Sequence, residues 1–278
     1  MHSGIEIRGP KQLQPHTLVI FDFSGTLSLG AVEFGQPDRL QRHLEKSGLA
    51  AIGIDTADRY WQGVVNPTWS AASRSTAGFK SIAAEHIQAQ KISKASRKVI
   101  DAALATFVDA YLHQSGIDPA WHPLLSEIQQ APGTMGLIAT DHYAEATKAI
   151  QGHLDALGIT AIPAGELKGP FKRTAFIVAN SADIGCPKAD LRFWQTLLDT
   201  CLPRQLKKVI LVDDFGQSEQ AADGYADSGR IAKRMAATKM ALGDVLRIEP
   251  LIIPFRIERK PVTAIADAIQ TIKKAWLA

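Results

Sequence analysis

Thr17-Leu18-Val19-Ile20-Phe21-Asp22-Phe23-Ser24-Gly25-Thr26-Leu27 is the stretch whose reading decides the fold. Leu18 to Phe21 is an unbroken apolar run, the pattern of a strand covered on both faces inside a parallel sheet. The run ends on Asp22, a charge placed where such a strand leaves the core. Ser24, Gly25 and Thr26 then turn the chain, with Gly25 free to take backbone angles other residues resist. Ligands of open parallel sheets bind at the carboxyl ends of the strands. A carboxylate there can act as a nucleophile or as a metal ligand. Taken alone, the same string also fits an Asp that merely caps a turn.

Outward from this stretch the chain divides into two textures. Ser28 to Pro37 reads as a Gly-bearing connector, and helical periodicity begins at Asp38, with Leu40, Leu44 and Leu49 near one face. Ala57 to Val65 is a second helical segment, expected to stop before Pro67. Ala77 to Gln90 is a third and Ser93 to Gln114 a fourth, the last marked by Val99, Ala103, Phe107 and Leu112. No strand is expected between residues 35 and 130. A block of that length is too long for a loop, so residues 28–132 are expected to form an all-helical inserted domain.

From Thr134 strands and helices alternate. Strands are expected at Met135 to Thr140, Thr174 to Asn180, Lys208 to Asp214 and Leu251 to Ile257. Helices are expected at Ala144 to Leu157, Pro187 to Cys201, Ser218 to Ala226 and Thr263 to Trp276. This rhythm implies an α/β fold, a doubly wound parallel sheet with right-handed crossovers, built from residues 1–27 and 133–278.

Composition excludes several function classes. The chain has 278 residues, 46% hydrophobic and 21% charged, with a formal charge of only +3. That balance gives no reason to expect a nucleic-acid or membrane surface. No apolar run approaches a membrane span, and residues 1–15 lack a signal-peptide core. The two cysteines, Cys186 and Cys201, imply no disulfide framework and suit a reducing, cytoplasmic compartment. Either a monomer or a homodimer is compatible with this sequence.

Strands ending on Asp22, Thr140 and Asp213-Asp214 would bring these groups to one edge of the sheet. Lys188 adds a cation. An all-oxygen cluster of acids favours Mg2+, which bridges readily to substrate phosphate. A nucleophilic carboxylate, a hydroxyl, a lysine and Mg2+ together suit phosphoryl transfer. Blander readings exist for each group: Thr140 as a helix cap, Lys188 as a surface residue replaced by Lys168 or Lys172, and Asp213-Asp214 as turn formers.

Asp22-Phe-Ser-Gly-Thr-Leu resembles the first motif of the haloacid dehalogenase superfamily, and Thr140, Lys188 and Asp213-Asp214 resemble its second, third and fourth motifs in order. The helical block resembles the family's C1-type cap over a Rossmann-like core. The resemblance implies a hydrolase acting on a phosphorylated or phosphonate small molecule. Asp22 would form an aspartyl-phosphate, with Thr140 and Lys188 holding phosphoryl oxygens. Gly25, Thr26 and Asp141 would line the substrate site. Mg2+ would be held by Asp22, the Ser24 backbone carbonyl, Asp213 and Asp214.

Ser24 departs from the family's pattern. Most of its phosphatases carry a second Asp there as general acid and base. A serine hydroxyl titrates far too high for that task, and its loss removes about 10²- to 10⁴-fold in rate. Relatives that lack the Asp suggest alternatives. One is a phosphonatase using a Schiff-base lysine, for which Lys80, Lys91, Lys94 and Lys98 are candidates. Others are a 2-haloacid dehalogenase, which the retained acidic pair argues against, and a degenerate member that binds without turnover. Trp61, Trp69, His86 and His113 are candidates to shape substrate choice, and His142 sits just past Thr140.

Overall fold

The computed structural model describes residues 16–167, 175–220, 222–257 and 260–278. Its centre is one sheet of six strands: β1 (Thr17–Phe21), β2 (Thr134–Thr140), β3 (Ala161–Pro163), β4 (Phe176–Asn180), β5 (Lys208–Asp213) and β6 (Leu251–Pro254). They lie in the order β3-β4-β2-β1-β5-β6, and every pair is parallel. The fold is therefore α/β, a doubly wound parallel sheet as the alternating pattern predicts. The strand order reverses at β1, between β2 and β5, and the crevice outside that point is where such sheets bind ligands.

Strand alternation divides the core in two. Val19, Phe21, Ile138, Val178, Ile210 and Val212 face one layer, closed by helices His122–Gln130, Glu145–Ala156 and Pro261–Leu277. Leu18, Ile20, Leu137, Ile177 and Leu211 face the other, closed by helices Leu191–Thr200 and Ser228–Leu246. Burying each such side chain is worth about 1.5–3 kcal/mol. A register with apolar groups on both faces is thus strongly specified. Within the first layer Trp121 is fully buried, and its Nε1–H donates to Thr26 O at 3.0 Å. The turn after β1 is held from beneath by that bond.

Between β1 and β2 the chain is helical, with no strand. Helices Pro37–Ser47, Gly78–Ala89 and Arg97–Gln114 surround a separate core that includes Leu40, Leu44, Ala83, Ile87, Ile100 and Leu104. Packing changes partners before the end of this block: Ile117, Trp121, Leu124 and Ile128 join the sheet layer, as does Leu29 at its beginning.

Several local expectations are corrected. Residues 28–37 hold a helix, Leu29–Phe34, started by Ser28, whose hydroxyl accepts from Ala31 N. The helix at Ala57 does not stop before Pro67. A π-helical turn, Trp61–Val65, carries it into Asn66–Ala72, where Pro67 occupies the first turn and needs no amide partner. Val99 is 48% exposed and Ile100 takes its place in the core. Among the described residues of 218–226 there is no α-helix; they end in a 3-10 turn, Gly224–Ala226, and the helix lies beyond it at Ser228–Leu246, capped by Asp227. The helix expected from Pro187 begins at Leu191 behind its cap Asp190, leaving Lys188 in the preceding turn. β6 ends at Pro254, and β3 is an additional short edge strand. Thr174, Lys168 and Lys172 lie outside the described residues.

Cys186 and Cys201 are buried free thiols. No helix among the described residues is long and apolar enough to cross a membrane.

Candidate active site

The strand ends meet as the register requires. Phe21 pairs with Val212, so Asp22 comes level with Asp213, and Asp22 N–H donates to Val212 O at 2.9 Å. Beyond Asp22 the chain folds back on itself: Phe23 O accepts from Thr26 N at 3.3 Å and from Ser28 N at 2.8 Å. Gly25 sits at φ +73°, and a Cβ there would lie 2.3 Å from Asp214 Oδ2. Both the backbone angle and the space demand glycine. Thr26 Oγ1 accepts from Asp214 N at 3.1 Å, which locks the two motif loops together.

Asp213 and Asp214 serve as turn formers and as site groups at once. Asp213 Oδ1 accepts from Phe215 N at 2.6 Å, and Asp214 accepts from Gly216 N at 3.0 Å and Ser218 N at 2.9 Å. These bonds fix both carboxylates. Oxygens of Asp22, Asp213 and Asp214 all lie within 4.8 Å of one another.

Lys188 is no surface residue; it is 2% exposed. Its Nζ donates to Asp22 Oδ1 at 2.6 Å and to Asp213 Oδ2 at 2.7 Å. Its backbone is clamped as well, N–H by Asp141 Oδ1 at 2.9 Å and C=O by Trp194 Nε1 at 2.7 Å. Burial alone would lower the Lys188 pKa, but Asp213, Asp22 and Asp141 outweigh it and keep the ammonium charged. Burial pushes Asp22 well above the usual carboxylate range; Lys188 opposes the rise, and Asp213 and Asp214 add to it. Asp214 is raised by burial and by Asp213. One ammonium against three acids leaves negative charge in excess. Hard oxygen donors with excess charge fit a divalent ion such as Mg2+.

Thr140 ends β2 at 1% exposure and lines the cavity above these groups. It does not cap the next helix, which starts at Ala144 with no side-chain cap. Asp141 lines the cavity too, but its Oδ1 holds the Lys188 backbone and its Oδ2 accepts from the Tyr225 hydroxyl at 3.2 Å. It acts on Lys188 as a positioning group.

Ser24 has a partner the sequence did not announce. Its hydroxyl donates to Glu219 Oε1 at 2.8 Å. Burial pushes the Glu219 carboxyl up to about 8, with Asp223 and Asp214 adding to the rise and Ser24 opposing it. On its other side Ser24 faces the Tyr111 hydroxyl. His142 Nδ1 accepts from Tyr143 N at 2.8 Å, so its proton sits on Nε2 and points to Tyr111 Oη at 2.9 Å. Burial lowers His142 to about 4, so this imidazole is neutral at pH 7.

The cavity lies between the sheet edge and the helical insertion and spans about 850 Å3, mouth included. Trp61 and Trp69 line it; His86, which bonds Gly63 O, and His113 do not. Lys80 pairs with Asp109 at the surface, and Lys91, Lys94 and Lys98 are exposed, so none of the four reaches the cavity. The insertion is seated by a small set of bonds. Asn66 Nδ2 donates to Ala222 O at 3.1 Å while its Oδ1 accepts from Gly224 N at 3.0 Å. Glu145 accepts from Phe79 N and Lys80 N, and Ser181 Oγ donates to Ser73 O at 2.7 Å.

Sequence reasoning missed Glu219, Tyr111, Asp223 and Tyr225. Glu219 follows Asp214 by five residues, a proximity that could have drawn notice. Tyr111 sits inside a helix with no local sign of its role. No protein-family model matches this chain, and no curated protein matches it.

Proposed function

We propose that this chain is a Mg2+-dependent hydrolase of the haloacid dehalogenase type, cleaving a phosphorylated or phosphonate small molecule through Asp22. The observation that carries this reading is the grouping of Asp22, Asp213 and Asp214 around the Lys188 ammonium at the carboxyl edge of the sheet. Asp22, Asp213, Asp214 and the Ser24 carbonyl would hold the ion, which when bound would offset charge on the phosphoryl oxygens.

In this reading Asp22 attacks phosphorus. In a phosphate ester the bond from phosphorus to the leaving oxygen breaks and the oxygen departs with the electron pair; in a phosphonate the bond from phosphorus to carbon breaks and the carbon keeps the pair. Water then attacks the phosphoryl group, the bond to Asp22 breaks, and orthophosphate leaves. Lys188 balances charge on Asp22 in the resting site and on the phosphoryl oxygens during transfer. Thr140 supplies a hydroxyl donor from the end of β2. Ser24 cannot protonate the leaving oxygen near neutrality, so substrates whose leaving groups depart readily are favoured.

The test is phosphate release from acetyl phosphate and p-nitrophenyl phosphate, with Mg2+ and with EDTA, by the wild type and Asp22→Asn. Loss of release in both EDTA and the variant is expected. Unchanged release by Asp22→Asn would overturn the mechanism. Halide release from 2-chloropropionate in EDTA would favour a dehalogenase, and Mg2+-dependent phosphate binding without turnover a binding protein.

A further inference from the structure

The cavity above Asp22 has walls of one kind and charges of one sign. Phe34, Tyr60, Trp61, Trp69, Phe107 and Tyr143 supply aromatic surface from the insertion and the sheet edge. The rings are held in mutual contact: Trp69 and Tyr143 stand edge to face at 5.3 Å between centroids, and Tyr60 and Phe107 are tilted at 4.9 Å. Each charged side chain in the lining is acidic; among the described residues no lysine or arginine lines the cavity.

Three of those acids have assigned partners. Asp22 and Asp214 belong to the metal-binding group, and Asp141 holds the Lys188 backbone and Tyr225. Glu219 and Asp223 remain. Neither enters an ion pair among the described residues. Their nearest polar partners are neutral, the Ser24 hydroxyl for Glu219 and the Tyr225 backbone N–H for Asp223 at 2.8 Å. Arg234 makes no ion pair with Asp223, although its charge favours that carboxylate; it lies over Tyr225, 3.3 Å from the ring centroid, and donates to the carbonyls of Phe215 and Tyr225. A second phosphate or a carboxylate on the substrate would find no lysine or arginine in this lining and, in Asp223, a like charge. A positively charged nitrogen would find aromatic faces and carboxylates together, the setting in which ammonium groups bind.

We propose that this chamber seats a cationic nitrogen on the leaving group, making the substrate a phosphate ester of an ammonium-bearing alcohol. The inference rests on the hydrolase reading for the reacting end of the substrate, and on the chamber alone for the cation. It also answers the missing acid. An ammonium close to the leaving oxygen lowers the pKa of the departing alcohol, so less depends on a proton donor at residue 24.

The experiment compares choline with its uncharged isostere, 3,3-dimethyl-1-butanol, titrated into the full-length protein with Mg2+ present, followed by tryptophan fluorescence and calorimetry. Choline is expected to bind about tenfold more tightly, and Asp223→Asn is expected to shrink that preference with its circular dichroism unchanged. Equal affinities, or tighter binding of the neutral alcohol, would overturn the proposal, and the wild-type comparison stands whether or not the variant folds. A parallel comparison uses phosphocholine and 3,3-dimethylbutyl phosphate as substrates. Choline preference without any phosphate release would retain the cation site and remove the hydrolase reading. Phosphate release through Asp22 with no preference for the charged ester would do the reverse.

Discussion

The Ser24 hydroxyl donates to Glu219 Oε1 across 2.8 Å, joining the turn after β1 to the loop after β5 over 195 residues of chain. Restoring an aspartate at residue 24 would therefore remove the donor that Glu219 accepts from and place a second carboxyl against it. Ser24→Asp alone is expected to raise phosphate release by less than tenfold. Ser24→Asp with Glu219→Gln removes the second acid and supplies an amide donor in its place, and is expected to approach the ~10²- to 10⁴-fold of a positioned acid-base group. Steady-state rates on p-nitrophenyl phosphate for both variants check this. A full gain from the single variant would show that Glu219 yields freely.

Lys188 is expected to matter for folding as well as turnover. Replacing it with Met leaves Asp22 and Asp213 buried without their cation, a loss of about 3–5 kcal/mol. Urea denaturation in EDTA should show it. Adding Asp22→Asn to Lys188→Met should recover part of the loss, because one stranded charge is removed.

Divalent ions should stabilise the fold by mass action. At a Mg2+ concentration one hundred times the dissociation constant, the gain is about 2.7 kcal/mol. A rise in Tm with Mg2+ that disappears in Asp214→Asn is the expected result. A wild type indifferent to Mg2+, Mn2+ and Ca2+ would count against the carboxylate group as a metal site.

His142 gives a pH signature of known sign. Folded, its imidazole stays neutral down to about pH 4. Unfolded, it takes up a proton near pH 6.5. The unfolded state therefore binds the extra proton as pH falls through that window, and stability is lost on acidification. Between pH 7 and 4 the wild type should lose about 3 kcal/mol more than His142→Gln. Parallel pH slopes for the two proteins would mean that the ring is solvated in the folded state.

What the sequence revealed and what it hid follow from the range of the forces involved. β1, β2 and β5 were legible because an apolar run closed by Asp or Thr is a local pattern. Asp22, Thr140 and the Asp213-Asp214 pair were placed by that pattern together with strand order, Lys188 by its place in the motif order of the resemblance, and Lys188 Nζ does meet Asp22 and Asp213. β3 escaped notice because three residues, Ala161–Pro163, carry no period. The helix Ser228–Leu246 lies beyond its expected place because the side chains of Asp214 and Asp223 accept the backbone amides of Ser218 and Tyr225, an alternative to helical bonding that no periodic pattern signals. The Ser24–Glu219 bond and the aromatic lining arise from packing between distant segments, which no local pattern records.

Asn66 grips the backbone on both sides of Asp223, accepting from Gly224 and donating to Ala222. The helical roof thus decides where one of the chamber's charges stands. By reciprocity of linked equilibria, whatever prefers that carboxylate in place must also favour the roof being down. A guest attracted to Asp223 would shut the door behind itself, and a roof worked loose would disperse the very charge that drew the guest in.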